Sequence, residues 1–308
     1  MRILIAGGCG FIGSTICDRF LRDQHDLRVF ERPRVEPYRD FLPTENVEWV
    51  TGDFSSRHDI EEALDGIDAV IHLVSTTLPK SSNDDPVYDV QSNVVSTLQV
   101  LDLMIKNGIR KIIFISSGGT VYGVPQSIPI SENHPTDPIC SYGISKLVIE
   151  KYLNLYKTLH GIQPVTLRLA NPYGPRQRIE TAQGAIAAFL YRAMTNQPIQ
   201  IWGDGSVVRD YIYVEDVAEA FAAALNYEGE ETLFNIGSGK GWSLNQLVEK
   251  IEGLIDRPLE VQYQAARKFD VPTNVLCIEK AMKELAWSPS TNMNEGLAKT
   301  VGWLSRQK

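Results

Sequence analysis

The chain has 308 residues, 43% hydrophobic and 22% charged, the composition of a globular protein with a sizeable core and about two domains. Its net charge of −8 leaves no basic block for nucleic acid, although a few local Arg residues suffice for small anions. Cys9, Cys17, Cys140 and Cys277 form no C-x-x-C pair and no apolar run reaches ~18 residues, so a metal site, a disulfide framework and a membrane span are not expected, and a reducing cytoplasm is the natural compartment.

Arg2–Ala6 is a short apolar run, as in a buried parallel strand. Gly7, Gly10 and Gly13 follow and open a helix over residues 11–21. The first glycine permits a tight turn. The second lets backbone N–H groups, with Phe11 and Ile12 at the helix start, approach a pyrophosphate, and the third allows close helix–strand packing. Residues 27–30 form a second strand with Glu31 at its end, about 20 residues past the last glycine, where an acid meets the adenosine ribose hydroxyls. Glu31 argues for NAD over NADP; Arg32 beside it is the counter-signal, since an Arg accepts a 2′-phosphate.

Val47–Thr51 is a third strand. Asp53 after it either reaches the adenine amino group or caps a helix over residues 56–64. Residues 68–74 are a fourth strand, with His72 inside it as a packing residue. Its end, Val74-Ser75-Thr76-Thr77, lies where open α/β sheets hold ligands, and the polar stretch 79–85 borders the same place. A long helix is expected over 87–107, with Val94, Val95, Leu98, Leu101 and Ile105 on an apolar face.

The strand at 111–115 stops at the polar turn Ser116-Ser117-Gly118-Gly119-Thr120, and a long helix opens at Ser141. Tyr142 and Lys146, four apart, share a face of that helix. The lysine's charge is placed to lower the pKa of the phenol, and an oxidised nicotinamide would lower it further. A free phenol titrates near ~10, so such tuning is what a base near neutral pH requires. Both long helices carry more apolar surface than one sheet contact uses, which predicts a homodimer through 87–107 and 141–160.

Gln163–Leu169 completes the alternation of a doubly wound parallel α/β sheet, a dinucleotide-binding domain over 1–169. The grammar then changes. Asn171-Pro172-Tyr173-Gly174 is a loop, and helices near 184–195, 214–225 and 243–255 alternate with short strands at 199–201, 209–213 and 233–236. This describes a smaller α+β lobe over 170–308, of which 209–236 is free to pack back on the first domain.

Together these motifs resemble the extended short-chain dehydrogenase/reductases, and within them the nucleotide-sugar epimerases similar to UDP-glucose 4-epimerase. The resemblance covers nearly the whole chain. It rests on the three glycines, Gly52-Asp53, His72-Leu73, Asn93, Thr120-Val121-Tyr122-Gly123, Tyr142-x-x-x-Lys146 and Asn171-Pro172-Tyr173-Gly174-Pro175, with Gly203-Asp204-Gly205, Arg209-Asp210-Tyr211 and Arg267-x-x-Asp270-Val271-Pro272 later. It implies bound NAD, with Phe54, Leu73, Val74, Ser75, Asn93 and Ser116 added to its contacts. It implies that Tyr142 takes the proton of the sugar 4-hydroxyl, hydride leaves C4, the 4-keto sugar turns over, and hydride returns on the other face. Lys146 would also hold the nicotinamide ribose. Thr76 and Thr77 would border the sugar, Asn171, Arg209 and Arg267 would meet the diphosphate, and Asp270 the nucleoside ribose.

The chain departs from that pattern at Gly118, where the family's catalytic Ser or Thr usually sits. Thr120 and Ser117 are then expected to share the hydrogen bond to the 4-oxygen, and the glycine to make room for a larger or differently turned sugar. The turn also lacks the carboxylates that 4,6-dehydratases use. A UDP-sugar 4-epimerase is therefore the expectation, with a dehydratase, decarboxylase or keto-reductase on the same scaffold, or a non-catalytic nucleotide-binding relative, as the competing readings.

Overall fold

The computed structural model describes residues 1–177, 184–266 and 271–306. Strand β1 (Arg2–Ala6) runs into α1 (Phe11–Arg22), followed by β2 (Asp26–Glu31), β3 (Val47–Thr51), α2 (Arg57–Ala63) and β4 (Ala69–His72). Next come α3 (Pro86–Asp89), a π-helical segment Val90–Val95 and α4 (Ser96–Lys106), then β5 (Lys111–Ser117), α5 (Ser141–His160) and β6 (Gln163–Leu169). The second half holds β7 (Asn171–Tyr173), α6 (Ala185–Met194), β8 (Ile199–Trp202), β9 (Val208–Tyr213), α7 (Val214–Leu225) and β10 (Leu233–Ile236). It closes with β11 (Gly241–Ser243), α8 (Leu244–Ile255), β12 (Val261–Gln264), β13 (Thr273–Asn274), α9 (Glu279–Glu284) and α10 (Met293–Leu304).

Seven parallel strands form the main sheet in the order β10-β6-β5-β4-β1-β2-β3. The order reverses between β1 and β4, the switch point where a doubly wound sheet opens a crevice at its carboxyl ends. Its central strands are buried on both faces, which is why they read as unbroken apolar runs. One face packs on α1 and α7 through Ile16, Phe20 and Phe221. The other packs on α2, α4 and α5 through Ile60, Leu101, Ile149 and Leu153. A separate core of Tyr173, Phe189, Leu190, Leu247, Ile251 and Leu297 holds α6, α8 and α10 together. Leu233–Ile236 pairs with β6 in register Leu233↔Thr166, so this segment lies in the main sheet.

The helix expected over 87–107 differs in its middle. It is continuous from Pro86 to Lys106 but widens to a π-turn over Val90–Val95. The cause is local. Ser92 Oγ donates to the Tyr88 carbonyl (2.6 Å), Asn93 Nδ2 to that of Asp89 (3.0 Å) and Thr97 Oγ1 to that of Asn93 (2.6 Å). Short polar side chains thus compete with the backbone for its own acceptors, and such widenings gather at functional sites.

Candidate active site

The glycine loop has the geometry the spacing called for. Gly7 holds φ +88°, and a Cβ there would meet Leu73 and Val74 at the end of β4. At Gly13 a Cβ would lie 2.2 Å from the Gly7 carbonyl, so only glycine lets α1 sit this close to β1. Gly10 is the N-cap of α1 and brings no side chain to it, which leaves the first-turn amides of Phe11 and Ile12 without a side-chain cap. Glu31 sits at the end of β2 with Oε1 accepting from the Cys9 amide at 3.1 Å, and Arg32 is exposed. This cradle, with open helix amides and an acid at the neighbouring strand end, fits a dinucleotide. Asp53 does not cap α2: its Oδ1 accepts from the Ser55 amide and hydroxyl, and the cap is Ser56. Phe54 is buried against the His72 ring, and His72 is bonded to Thr97 Oγ1 at 2.9 Å. Burial holds that imidazole down to about 3, so it is neutral and packs.

Tyr142 and Lys146 lie on the first turns of α5, beside the end of β5. Lys146 is buried, donates to the Ile115 carbonyl at 3.0 Å and sits 4.7 Å from the Phe114 ring and 5.6 Å from the Tyr142 ring. The expected lowering of the Tyr142 pKa by Lys146 is not found. Burial pushes the phenol up to about 12, the charges at Cys140 and Asp89 push the same way, and a hydrogen bond with Ser75 works against them. The ammonium contacts the face of the ring and spends a proton on a carbonyl. Burial also brings Lys146 down to about 8, opposed by Asp89 and Glu150.

Thr120 Oγ1 is buried and has no hydrogen-bond partner among the described residues. Most buried hydroxyls are paired, so this one is open to a further partner such as a substrate oxygen or a water. Ser117 is half-buried one turn earlier, and Ser116 gives its hydroxyl to Glu150, whose carboxylate holds Arg168 bidentately. Gly118 does not make room for a sugar. A Cβ there would lie 2.5 Å from Leu276 Cδ1, and its carbonyl accepts from Asn274 Nδ2 at 3.0 Å. Leu276, far along the chain, fills the space; no local sequence signal announced it.

The loop after β4 is braced rather than open. Thr76 donates its amide to Asn93 Oδ1 (3.0 Å), and Thr77 is buried and bonded to Asp89. Asn93 spends its amide on Thr77 and Asp89. The polar stretch 79–85 caps the start of α5: Asn83 Oδ1 accepts from the Ser141 amide and Ser82 Oγ from the Tyr142 amide. Asp89 escaped the sequence reading, although it lies one helical turn before Asn93, and Ser82 and Asn83 were read only as part of the polar stretch 79–85.

In the second lobe a cavity of about 560 Å³ is lined by Asn171, Tyr173, Phe189, Trp202 and Arg209. Asn171 Nδ2 donates to the Asp210 carbonyl, and Arg209 Nη1 to the carbonyls of Val208 and Val271. Arg267 and Asp270 lie outside the described residues.

Residues 3–237 match the model of the NAD dependent epimerase/dehydratase family. The chain is 34% identical over 310 residues to a UDP-glucose 4-epimerase of Mycolicibacterium smegmatis, covering 98% of this chain and 97% of that one. It is 36% identical over 308 residues to a dTDP-4-dehydro-6-deoxyglucose reductase of Escherichia coli, covering 97% and 96%. The crystal structure of a UDP-glucose 4-epimerase with UDP-glucose from Thermotoga maritima superimposes with TM-score 0.95 at 32% identity, covering 100% of this chain and 99% of that one.

Proposed function

The chain belongs to the NAD dependent epimerase/dehydratase family, and on that premise we propose that it is an NAD-dependent 4-epimerase of a UDP-sugar. The observation that carries this reading is the orphaned Thr120 hydroxyl beside Tyr142 and Lys146, in a turn without a carboxylate. Elimination or decarboxylation asks for an acid in that turn; inversion at C4 does not.

The glycine loop, the first amides of α1 and Glu31 would hold NAD, with Lys146 at its nicotinamide ribose. The chemistry NAD supplies when bound is a hydride acceptor and donor at C4 and a positive ring charge. Tyr142 accepts the 4-hydroxyl proton on its phenol oxygen and returns it. That role needs the phenol brought down from about 12, and Lys146 is placed to help once its ammonium turns from the Ile115 carbonyl. Thr120 Oγ1 hydrogen-bonds the 4-oxygen, ahead of Ser117. Asn171 and Arg209 line the cavity that takes the nucleotide diphosphate, and the family pattern adds Arg267 and Asp270 there.

A keto-reductase is the second reading, favoured by the likeness to the E. coli reductase. The purified protein, incubated with UDP-glucose, UDP-N-acetylglucosamine and UDP-glucuronate, separates the two by proton NMR of the sugar. Epimerisation gives the C4-inverted sugar with no added reductant. In a parallel incubation with a 4-keto nucleotide sugar and reduced nicotinamide, reduction there with no inversion of the three UDP-sugars would replace the epimerase by a reductase.

The working unit in this reading is a homodimer in the cytoplasm. Val87 and Val95 on one helix and Ile144, Leu155 and Leu159 on α5 leave apolar side chains exposed, a stripe suited to pairing with its copy.

A further inference from the structure

Asp89 ends α3 and is fully buried (0% exposed). Four side-chain donors converge on its two oxygens. Thr77 Oγ1 and Asn93 Nδ2 donate to Oδ1; Ser141 Oγ (2.8 Å) and Ser145 Oγ (2.6 Å) donate to Oδ2. A carboxylate is acceptor-only and has about four lone-pair sites, so the set is complete. One oxygen thus faces the loop after β4, and the other faces the first two turns of α5. Ser141 immediately precedes Tyr142, and Ser145 immediately precedes Lys146.

We infer that Asp89 is a positioning residue for the Tyr142–Lys146 pair, tying the helix that carries them to the Thr76–Thr77 loop across the substrate side of the crevice. It touches none of the reacting atoms. The π-turn belongs to the device. It begins at the next residue and turns Ser92, Asn93 and Thr97 toward the same strand end, where they hold Thr76 and His72. One buried carboxylate therefore joins the loop to α5, beside the Asn83 and Ser82 contacts to the first amides of that helix. Removing a member displaces Tyr142 relative to the Thr120 hydroxyl without altering either group.

The carboxylate also acts through its charge. The titratable groups facing the pair are Asp89 from α3, Glu150 from α5, Cys140 just before α5 and His72 from β4. Asp89 raises both the phenol and the ammonium. Its neutralisation therefore lets the Tyr142 proton leave at lower pH, a change that loss of packing alone would not produce.

The inference rests on the epimerase reading, and its test has one arm that does not. Asp89→Asn preserves shape, removes the charge and replaces one of the two acceptor oxygens by an N–H donor, so two of the four donors lose their acceptor. In NAD-loaded protein, the tyrosinate absorbance that disappears in a Tyr142→Phe control reports the phenol directly. Asp89→Asn is expected to move that titration to lower pH by about half a unit or more. With the UDP-sugar the wild type turns over, kcat is expected to fall about ten- to a hundredfold, with the acid limb of the rate profile moved to lower pH and KM and NAD content within about twofold of wild type. A wild type that turns over no UDP-sugar counts against the reaction and leaves the absorbance arm to decide Asp89. An unchanged titration and unchanged kcat overturn the inference. Should Asp89→Asn not fold, Ser141→Ala/Ser145→Ala decides: it cuts only the α5 side of the tie, and wild-type kcat in that variant overturns the inference equally.

Discussion

Thr120 and Ser117 offer hydroxyls to the same turn, but only Thr120 has Oγ1 buried with no hydrogen-bond partner among the described residues. Thr120→Ala is therefore expected to lower kcat by about 10²- to 10³-fold, the usual cost of one aimed donor, whereas Ser117→Ala should stay within about fivefold; equal losses in steady-state assays would return the role to both. At Gly118 the obstacle is Leu276. Gly118→Ser should cost about 1–3 kcal/mol in denaturant unfolding by overpacking, and Leu276→Ala on top should recover part of it; a purely additive double variant would show that Leu276 is not the obstacle. Lys146 gives a pH signature. Its folded pKa, about 8, lies below that of the unfolded chain, so it destabilises fully below pH 8 and the cost fades as pH rises toward 10.5. Lys146→Met should stabilise the fold at pH 7 by up to about 3 kcal/mol, read as a higher thermal midpoint, and lose that advantage near pH 10. Tyr142 and Lys146 were legible because helical spacing is local. The fit of Gly118 to Leu276 was not, since it joins residues that meet only in the folded chain, and the direction of the Tyr142 shift depends on burial, which no spacing reports.

At the scale of elements, the apolar periodicity of both long helices was readable, and so was their surplus of exposed side chains. The π-turn was not: it comes from Ser92, Asn93 and Thr97 bonding back to carbonyls, which leaves no hydrophobic period. The capping of α5 was equally hidden, because Cys140 contributes no side-chain cap and the partners, Ser82 and Asn83, come from a loop that reads as merely polar. The stripe on α5 carries its own prediction. Ile144→Glu with Leu159→Glu, both at exposed positions, should convert a dimer to a monomer in sedimentation velocity while the secondary structure by circular dichroism is kept. A wild type sedimenting as a monomer at micromolar concentration would remove the dimer from the proposal.

Across the whole molecule, the parallel alternation up to Leu169 was legible from strand–helix rhythm, while the short pieces after it, β7, β11, β12 and β13, are too brief to show a period. The return of β10 to the main sheet decides what can stand alone. A fragment of residues 1–169 would leave the β6 edge unpaired and strip α7 from α1; it is expected to unfold without a cooperative transition, and a sharp two-state melt would show the opposite. The same register, Leu233 opposite Thr166, sets a clock during synthesis. At about 5–20 residues per second, β6 waits several seconds on the ribosome before its neighbour exists. For that interval the nascent chain shows a bare strand edge to its surroundings. Its vulnerability to aggregation lies in the schedule of translation, and slowing elongation between the two strands should lower soluble yield without altering a single residue.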